Sequence, residues 1–353
     1  MKKLKVIFSD LHLSAGPRLP DGSRNLLEDF FEDDLLIEMI EHYGDLPDCQ
    51  VDLIANGDFF NMLQIKLTGE STETITEDAA LQQLRSTLAG HEELFDALRE
   101  FCSGSNHELI FIIGNHDAGL LFTAVQNLLR ERLGPRVQFH ITYSSETIFI
   151  THGHQYEFIH NFDMKNFAHS GPDGVERLKL PWGSLFILQF LNKLKVYRPY
   201  IDKIKPFRFY LRWAFWNDHR FFWRMLVEII IFWLRNRFSN DPYRRKEFKL
   251  SPSRLAGAMT HQPLVETARE ILTNTRYRLL VFGHSHKIDY RHFGENGEYY
   301  NCGTWTEIIS LDVATLGLSK LRPYVLIEYK DGQPRAGLYH WIGSPRPMVE
   351  LIP

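Results

Sequence analysis

Phe111-Ile112-Ile113-Gly114-Asn115-His116-Asp117 decides the fold. Its first half is apolar and β-branched, as a buried strand requires, and its second half is a turn crowded with groups that bind cations or carry protons. Asn115 offers a neutral carbonyl oxygen, His116 an imidazole and Asp117 a carboxylate beside it. The design recurs four more times. Val6-Ile7-Phe8-Ser9 leads into Asp10-Leu11-His12, Val51-Asp52-Leu53-Ile54 into Asn56-Gly57-Asp58, Thr147-Ile148-Phe149-Ile150 into His152-Gly153-His154, and Leu279-Leu280-Val281-Phe282 into Gly283-His284-Ser285-His286. In an open α/β sheet, ligands gather beyond the carboxyl ends of the strands, so these five loops are expected to converge.

Working outward, 353 residues suffice for one α/β core with a large insertion. With 44% hydrophobic and 24% charged residues the composition is that of a globular protein, and a net charge of −4 gives no global argument for nucleic-acid binding. Cys49, Cys102 and Cys302 are odd in number and unpaired in spacing, which argues against a disulfide framework and for a reducing compartment. Lys2, Lys3 and Lys5 resemble the start of a signal peptide, but Val6-Ile7-Phe8 is stopped at once by Ser9-Asp10, too short for its apolar segment.

Helical spacing is read from Leu26 to Ile40 and from 78 to 102, in further helices at about 120–133 and 253–273, and a mobile loop at 66–78. Late strands, around 299–305 and 324–329, follow one another without helices between them. The expected fold is therefore α/β with two facing mixed sheets, a four-layer α/β/β/α sandwich carrying a helical aromatic-rich insertion. The core is expected at 1–160 and 251–353, and the insertion, a cap, substrate or membrane-surface subdomain, at 161–250.

From Leu180 to Asn240 the chain holds five of its seven tryptophans and about eight positive charges in excess. Its longest uncharged run, Leu180 to Asn192, is far short of the roughly 20 residues that cross a bilayer, so no transmembrane helix is expected. Two readings stand side by side. The rings could fill the insertion's own core with arginines reaching past them, or Trp213, Trp216, Trp223 and Trp233 with Arg220, Arg224, Arg235 and Arg237 could form a surface for membrane lipid or a polyanionic substrate.

In order, the motifs read Asp10-x-His12, Gly57-Asp58, Gly114-Asn115-His116-Asp117, His152-Gly153-His154 and Gly283-His284-Ser285-His286. This resembles the calcineurin-like metallophosphoesterase superfamily, from residue 6 to about 305. The resemblance implies a phosphoric ester hydrolase with two divalent metal ions (Mn, Fe or Zn, Mn foremost). Asp10, His12 and His286 would hold one ion, Asn115, His152 and His284 the other, and Asp58 would bridge them. It implies attack of a metal-bridging hydroxide on a phosphodiester, phosphomonoester or pyrophosphate, with His116 beside the phosphate and Asp117 holding its ring. His154 and Asn301 are expected in supporting or substrate-facing places. The substrate is expected to be a phosphate-containing small molecule, nucleotide or lipid. The setting is expected to be cytoplasmic, at the inner membrane surface through peripheral association. One alternative is a lipid-linked pyrophosphatase similar to the UDP-diacylglucosamine branch, from which His116 departs because those enzymes usually carry Arg there. The other is a non-catalytic metal-binding scaffold. Oligomeric state is not legible.

Overall fold

The structure is a computed structural model and describes residues 1–67, 74–249, 264–313, 316–343 and 348–351. Among these residues, seven strands form the first sheet, in the order β17 (Met348–Glu350), β16 (Gln333–Trp341), β15 (Pro323–Lys330), β1 (Lys2–Phe8), β2 (Cys49–Asn56), β3 (His107–Ile112) and β4 (Gln138–His140). β1 to β4 are parallel, and the C-terminal strands add on antiparallel. A second mixed sheet runs β11 (Ile288–His292), β12 (Glu298–Cys302), β10 (Leu279–Phe282), β6 (Ile148–Thr151) and β5 (Thr142–Ser145).

Side-chain alternation along the strands builds the layers. Leu4, Val6 and Phe8 of β1, with Leu53 and Phe111, pack under α1 (Asp33–Gly44), α2 (Glu77–Gly90), α3 (Glu92–Ser103) and α4 (Thr123–Leu133). The opposite face presents Ile7, Ile54, Ile110 and Ile112 to Ile148, Ile150, Leu279 and Val281 of the second sheet. Leu280 and Phe282 point outward from that sheet onto Ala268 and Leu272 of a later helix, Leu264–Asn274. The result is helix, sheet, sheet, helix. Between the sheets the fully buried Lys5 pairs with Asp52 and donates to the Tyr143 hydroxyl at 2.8 Å, so a buried charge is matched rather than stranded.

Several element boundaries differ from the periodicity reading. The expected helix from Leu26 begins only at Asp33, because Asn25 and Glu28 spend their side chains on backbone N–H groups: Asn25 Oδ1 accepts from Leu27, and Glu28 accepts from Gly16 and Phe30. The helix read over 78–102 is two helices broken at His91. α4 starts at Thr123, after a 3-10 turn at Ala118–Leu121. β5 was not expected. Of the loop read at 66–78, residues 68–73 lie outside the described residues, and Glu77 already opens α2, capped by the Thr76 hydroxyl. The helix read at 253–273 is described from Leu264, and its earlier part lies outside the described residues.

After β6 the chain forms a small hairpin of β7 (Ala168–Ser170) and β8 (Glu176–Leu178), then a helical segment α5 over residues 182–195 with a π-helical centre at Ile187–Leu191. β9 (Ile204–Lys205) joins a small sheet with β13 (Ile308–Ser310) and β14 (Gly317–Ser319). Helices α6 (Phe207–Asn217), α7 (His219–Arg237) and α8 (Pro242–Lys249) follow, and Leu264–Asn274 is α9. Leu185, Phe190, Leu194, Phe221 and Phe232 join the same buried cluster as the first sheet and its helices. Lys195, fully buried, lies between Asp29 at 2.6 Å and Asp202 at 2.7 Å, tying α5 to the core.

Candidate metal centre

Each motif loop leaves the carboxyl end of a strand and turns sharply. Eight non-glycine residues have φ above zero among the described residues, and five are Asp10, His12, Asp58, His284 and His286. Non-glycine left-handed backbone is uncommon and is held only where its surroundings compel it, which turns these short-lived strand ends toward one point. Two glycines make room. A Cβ on Gly114 would overlap the Asp58 carboxylate, and one on Gly283 would overlap Ser9 and Asp10.

The loops meet. Asp10, His12 and His286 bring one ligand atom each within 4.8 Å of one another, and so do Asp58, His152 and His284. Asp58 also groups with His12 and His116, so its carboxylate lies between the two sets. His12 Nε2 and His286 Nε2 face each other at 3.0 Å, with Asp10 Oδ1 3.3 Å from the latter. His152 donates its Nδ1–H to the Asn56 carbonyl at 2.9 Å, which leaves Nε2 toward Asp58 Oδ2 at 3.2 Å. Asp10 Oδ1, Asn115 Oδ1 and His152 Nε2 are buried without a hydrogen bond among the described residues. Buried polar atoms that converge without partners are what a hard or borderline cation satisfies, and the carboxylate, amide and imidazole set suits such ions. The donors present therefore fit divalent metal.

The electrostatics agree. Burial pushes the Asp58 carboxyl up, but His152 and His116 outweigh it and hold it well below the usual carboxylate range. Burial would neutralise His152, yet Asp58 and Asp10 raise it to about 10. Burial, then the charge of His286, lowers His12 to about 4. Negative charge thus dominates the centre, and the protein's own histidines partly compensate it.

His116 lines the cavity beside this cluster, its ring 4.5 Å from that of His12. The partner expected for its ring, Asp117, is not there. Asp117 instead accepts from the Gly114 and Phe59 backbone N–H groups at 2.6 and 3.0 Å, knitting the β2 and β3 loops together, and burial raises its carboxyl to about 8. Asn61 holds the ring, its Oδ1 accepting from His116 Nδ1 at 2.9 Å, while its amide donates to Gln64 at 2.6 Å. Asn61, three residues after Asp58, carried that signal only in its spacing.

His154 is buried beside His152 and Phe162, with both ring nitrogens lacking a hydrogen bond among the described residues, and it is not among the cavity-lining residues. Asn301 donates to the Gly283 carbonyl at 2.8 Å and accepts from Gly303 N–H at 3.0 Å, bracing the last motif turn. Sequence reading also missed Glu157, whose Oε2 lies 2.7 Å from His284 Nε2, and His160, 3.5 Å from the same carboxylate. Glu157 stands three residues after His154, and only the turn there brings it back.

The cluster opens into a cavity of about 760 Å³. One wall carries the ligand residues, and another carries Trp182, Phe186, Phe190 and Leu194 of α5 with Ile201 and Phe207. Farther out, the proposed surface residues Trp213, Trp216, Trp223, Arg220, Arg224 and Arg235 are all exposed, Trp216 at 79%. These rings lie on the outside of the helices, whereas Phe190, Phe221 and Phe232 of the same segment are buried and Trp182 packs against Phe232. No helix among the described residues is long and apolar enough to cross a membrane.

The family model for calcineurin-like phosphoesterase matches residues 6–288. No curated protein matches the chain. Among solved structures, a cold-active protein-tyrosine phosphatase of a psychrophile, Shewanella sp., is similar at 11% identity, covering 99% of this chain and 80% of that one with a TM-score of 0.33.

Proposed function

The chain belongs to the calcineurin-like phosphoesterase family, a group of metal-dependent phosphoester hydrolases, and from that premise we propose a dinuclear enzyme acting on a phosphate ester or anhydride. The observation that carries this reading is the pair of three-donor groups, Asp10 with His12 and His286 and Asp58 with His152 and His284, together with the grouping of Asp58 with His12 and His116 that links them. Asp10, His12 and His286 would hold one cation and Asn115, His152 and His284 the other, with Asp58 shared; Mn²⁺ is the first choice and Fe or Zn²⁺ the alternatives. Divalent cations supply Lewis acidity at the phosphoryl oxygen and a water of lowered pKa.

The remaining steps belong to the chain. Asn61 accepts the Nδ1–H of His116, leaving Nε2 as the nitrogen that exchanges a proton with the leaving oxygen. Burial lowers His116 to about 3, so the ring is neutral on its own. A phosphoryl group beside it brings the negative charge that favours the protonated ring, and the proton is then held where the leaving oxygen needs it.

The aromatic wall supports a substrate with an apolar body, such as a lipid-linked phosphate, because α5 lines the same cavity as the ligand residues. The exposed tryptophans and arginines of α6 and α7 support a membrane-surface role for residues 161–250. The test uses bis-p-nitrophenyl phosphate with Mn²⁺. Asp58→Ala is expected to lose bound Mn²⁺ and activity together, whereas His116→Ala keeps Mn²⁺ and loses turnover by about 10²–10⁴-fold. Parent-like hydrolysis by both variants overturns the proposal.

A further inference from the structure

The two proposed ligand sets carry unequal charge. Beside the shared Asp58, one holds the Asp10 carboxylate and the other only the neutral amide of Asn115, each with two imidazoles. Glu157 stands behind the poorer set. Its Oε2 lies 2.7 Å from His284 Nε2, and because a carboxylate only accepts, the ring proton sits on Nε2 and the Nδ1 lone pair is left for the side of Asp58 and His152. His160 Nε2 is 3.5 Å from the same oxygen, the outer limit of a hydrogen bond, so His284 is the nearer partner.

The backbone fixes this carboxylate in place. The Glu157 N–H donates to the His154 carbonyl at 3.0 Å, and the Glu157 carbonyl accepts from His160 and Asn161 at 3.0 and 2.8 Å, closing a turn just downstream of His152. Ile159 of that turn accepts from Gly183 of α5 at 2.9 Å, which ties the turn to the cavity wall. From the other side, the His284 backbone N–H donates to Asp10 Oδ2 at 2.8 Å. The remaining imidazole of the poorer set, His152, gives its outer N–H to a neutral acceptor, the Asn56 carbonyl.

We propose that Glu157 is a positioning residue for His284, supplying through that ring the negative charge that the Asn115, His152 and His284 set lacks and so setting the affinity of its cation. This deepens the proposed dinuclear reading and rests on it for the ligand sets. An imidazole whose far N–H is donated to a carboxylate is held in one tautomer and one orientation and is the more basic ligand; losing such a partner costs about 10–100-fold in metal affinity. A solvent-facing ion pair would contribute little, but the His284 side chain is only 7% exposed, so the carboxylate acts on a ring shielded from water.

The experiment reads metal binding and does not depend on turnover. Mn²⁺ is titrated calorimetrically into the metal-stripped full chain and into Glu157→Gln, a replacement of nearly the same shape without the charge, each in the parent, His286→Ala and His284→Ala backgrounds. The parent is expected to bind two Mn²⁺. Glu157→Gln should weaken one of them by about tenfold or more and leave the other within about threefold. The same loss should recur in His286→Ala, where the opposite set is disabled. In His284→Ala, where Glu157 has no ring to act through, the Mn²⁺ that still binds should change by less than about twofold on adding Glu157→Gln. Two Mn²⁺ bound by Glu157→Gln as tightly as by the parent, or an equal loss in the His284→Ala background, overturns the proposal. A third Mn²⁺ in the parent that both Glu157→Gln and His160→Ala remove also overturns it, in favour of a cation held by Glu157, His160 and His284. Fewer than two Mn²⁺ in the parent overturns the dinuclear reading and this proposal with it. If bis-p-nitrophenyl phosphate is not hydrolysed but the His284-dependent loss stands, the hydrolase reading falls and the role of Glu157 survives.

Discussion

Asp10, His12, Asp58, His284 and His286 share one backbone habit, a positive φ without a glycine. Each costs of order 1 kcal/mol or more, and all five are candidate ligands, so stability has been spent where side chains must be aimed rather than where the chain merely turns. Asn61 is the residue that gains most from the three-dimensional view. It orients His116 through Nδ1 without touching the ligand cluster's donor atoms. Asn61→Ala is therefore expected to lower kcat by about 10–100-fold with KM and bound Mn²⁺ little changed, and Asn61→Asp, which keeps the acceptor, should recover part of the loss. A fall in Mn²⁺ content to match the fall in kcat would show that Asn61 supports the cluster itself.

At the scale of elements, His91 is the joint between α2 and α3 and the first turn of α1. Its ring lies 2.7 Å from Asp33 and 3.2 Å from Glu28, the acid that also interrupts the helical pattern before α1. Burial would lower its pKa, but these two carboxylates override burial and raise it to about 9. Because the folded value lies above the unfolded one of 6.5, the protonated ring stabilises the fold fully below pH 6.5. That contribution is lost as pH rises from 6.5 through about 9, and it amounts to something on the order of 3 kcal/mol. Thermal unfolding of the parent should fall across that window, and His91→Gln should have a lower Tm below pH 6.5 and a flatter profile above it. A parent Tm that holds constant from pH 6 to 9 would contradict this coupling.

At the scale of the whole molecule, charge is unevenly shared. Residues 180–240 carry about eight positive charges in excess, which leaves the remainder near −12. With Trp213, Trp216 and Trp223 exposed beside Arg220, Arg224 and Arg235, the helical face combines what anionic membranes attract with what their interface accepts. The protein should co-sediment with vesicles containing phosphatidylglycerol at low salt, and less so at high salt as screening grows. Trp216→Ser/Trp223→Ser should weaken partition by about fivefold or more. Absence from the vesicle pellet at both salt concentrations would reject the surface reading. The site itself would be unaffected, since neither ring lines the cavity.

The sequence alone determined the strand-to-loop design, the five motif loops and the layered α/β class, because alternation and turn chemistry are local and written in neighbouring residues. Burial, pairing and orientation were decided only by the tertiary structure. Lys5 reads as an N-terminal charge and is buried against Asp52; Asp117 reads as the holder of His116 and serves the backbone of two loops; Trp216 reads equally well as core or surface and is open to solvent. The physical reason is the same in each case. A side chain's partner is set by which elements the fold brings alongside it, and residues 52 and 59 become neighbours of residues 5 and 117 only after the sheets and α/β loops have closed around a common centre.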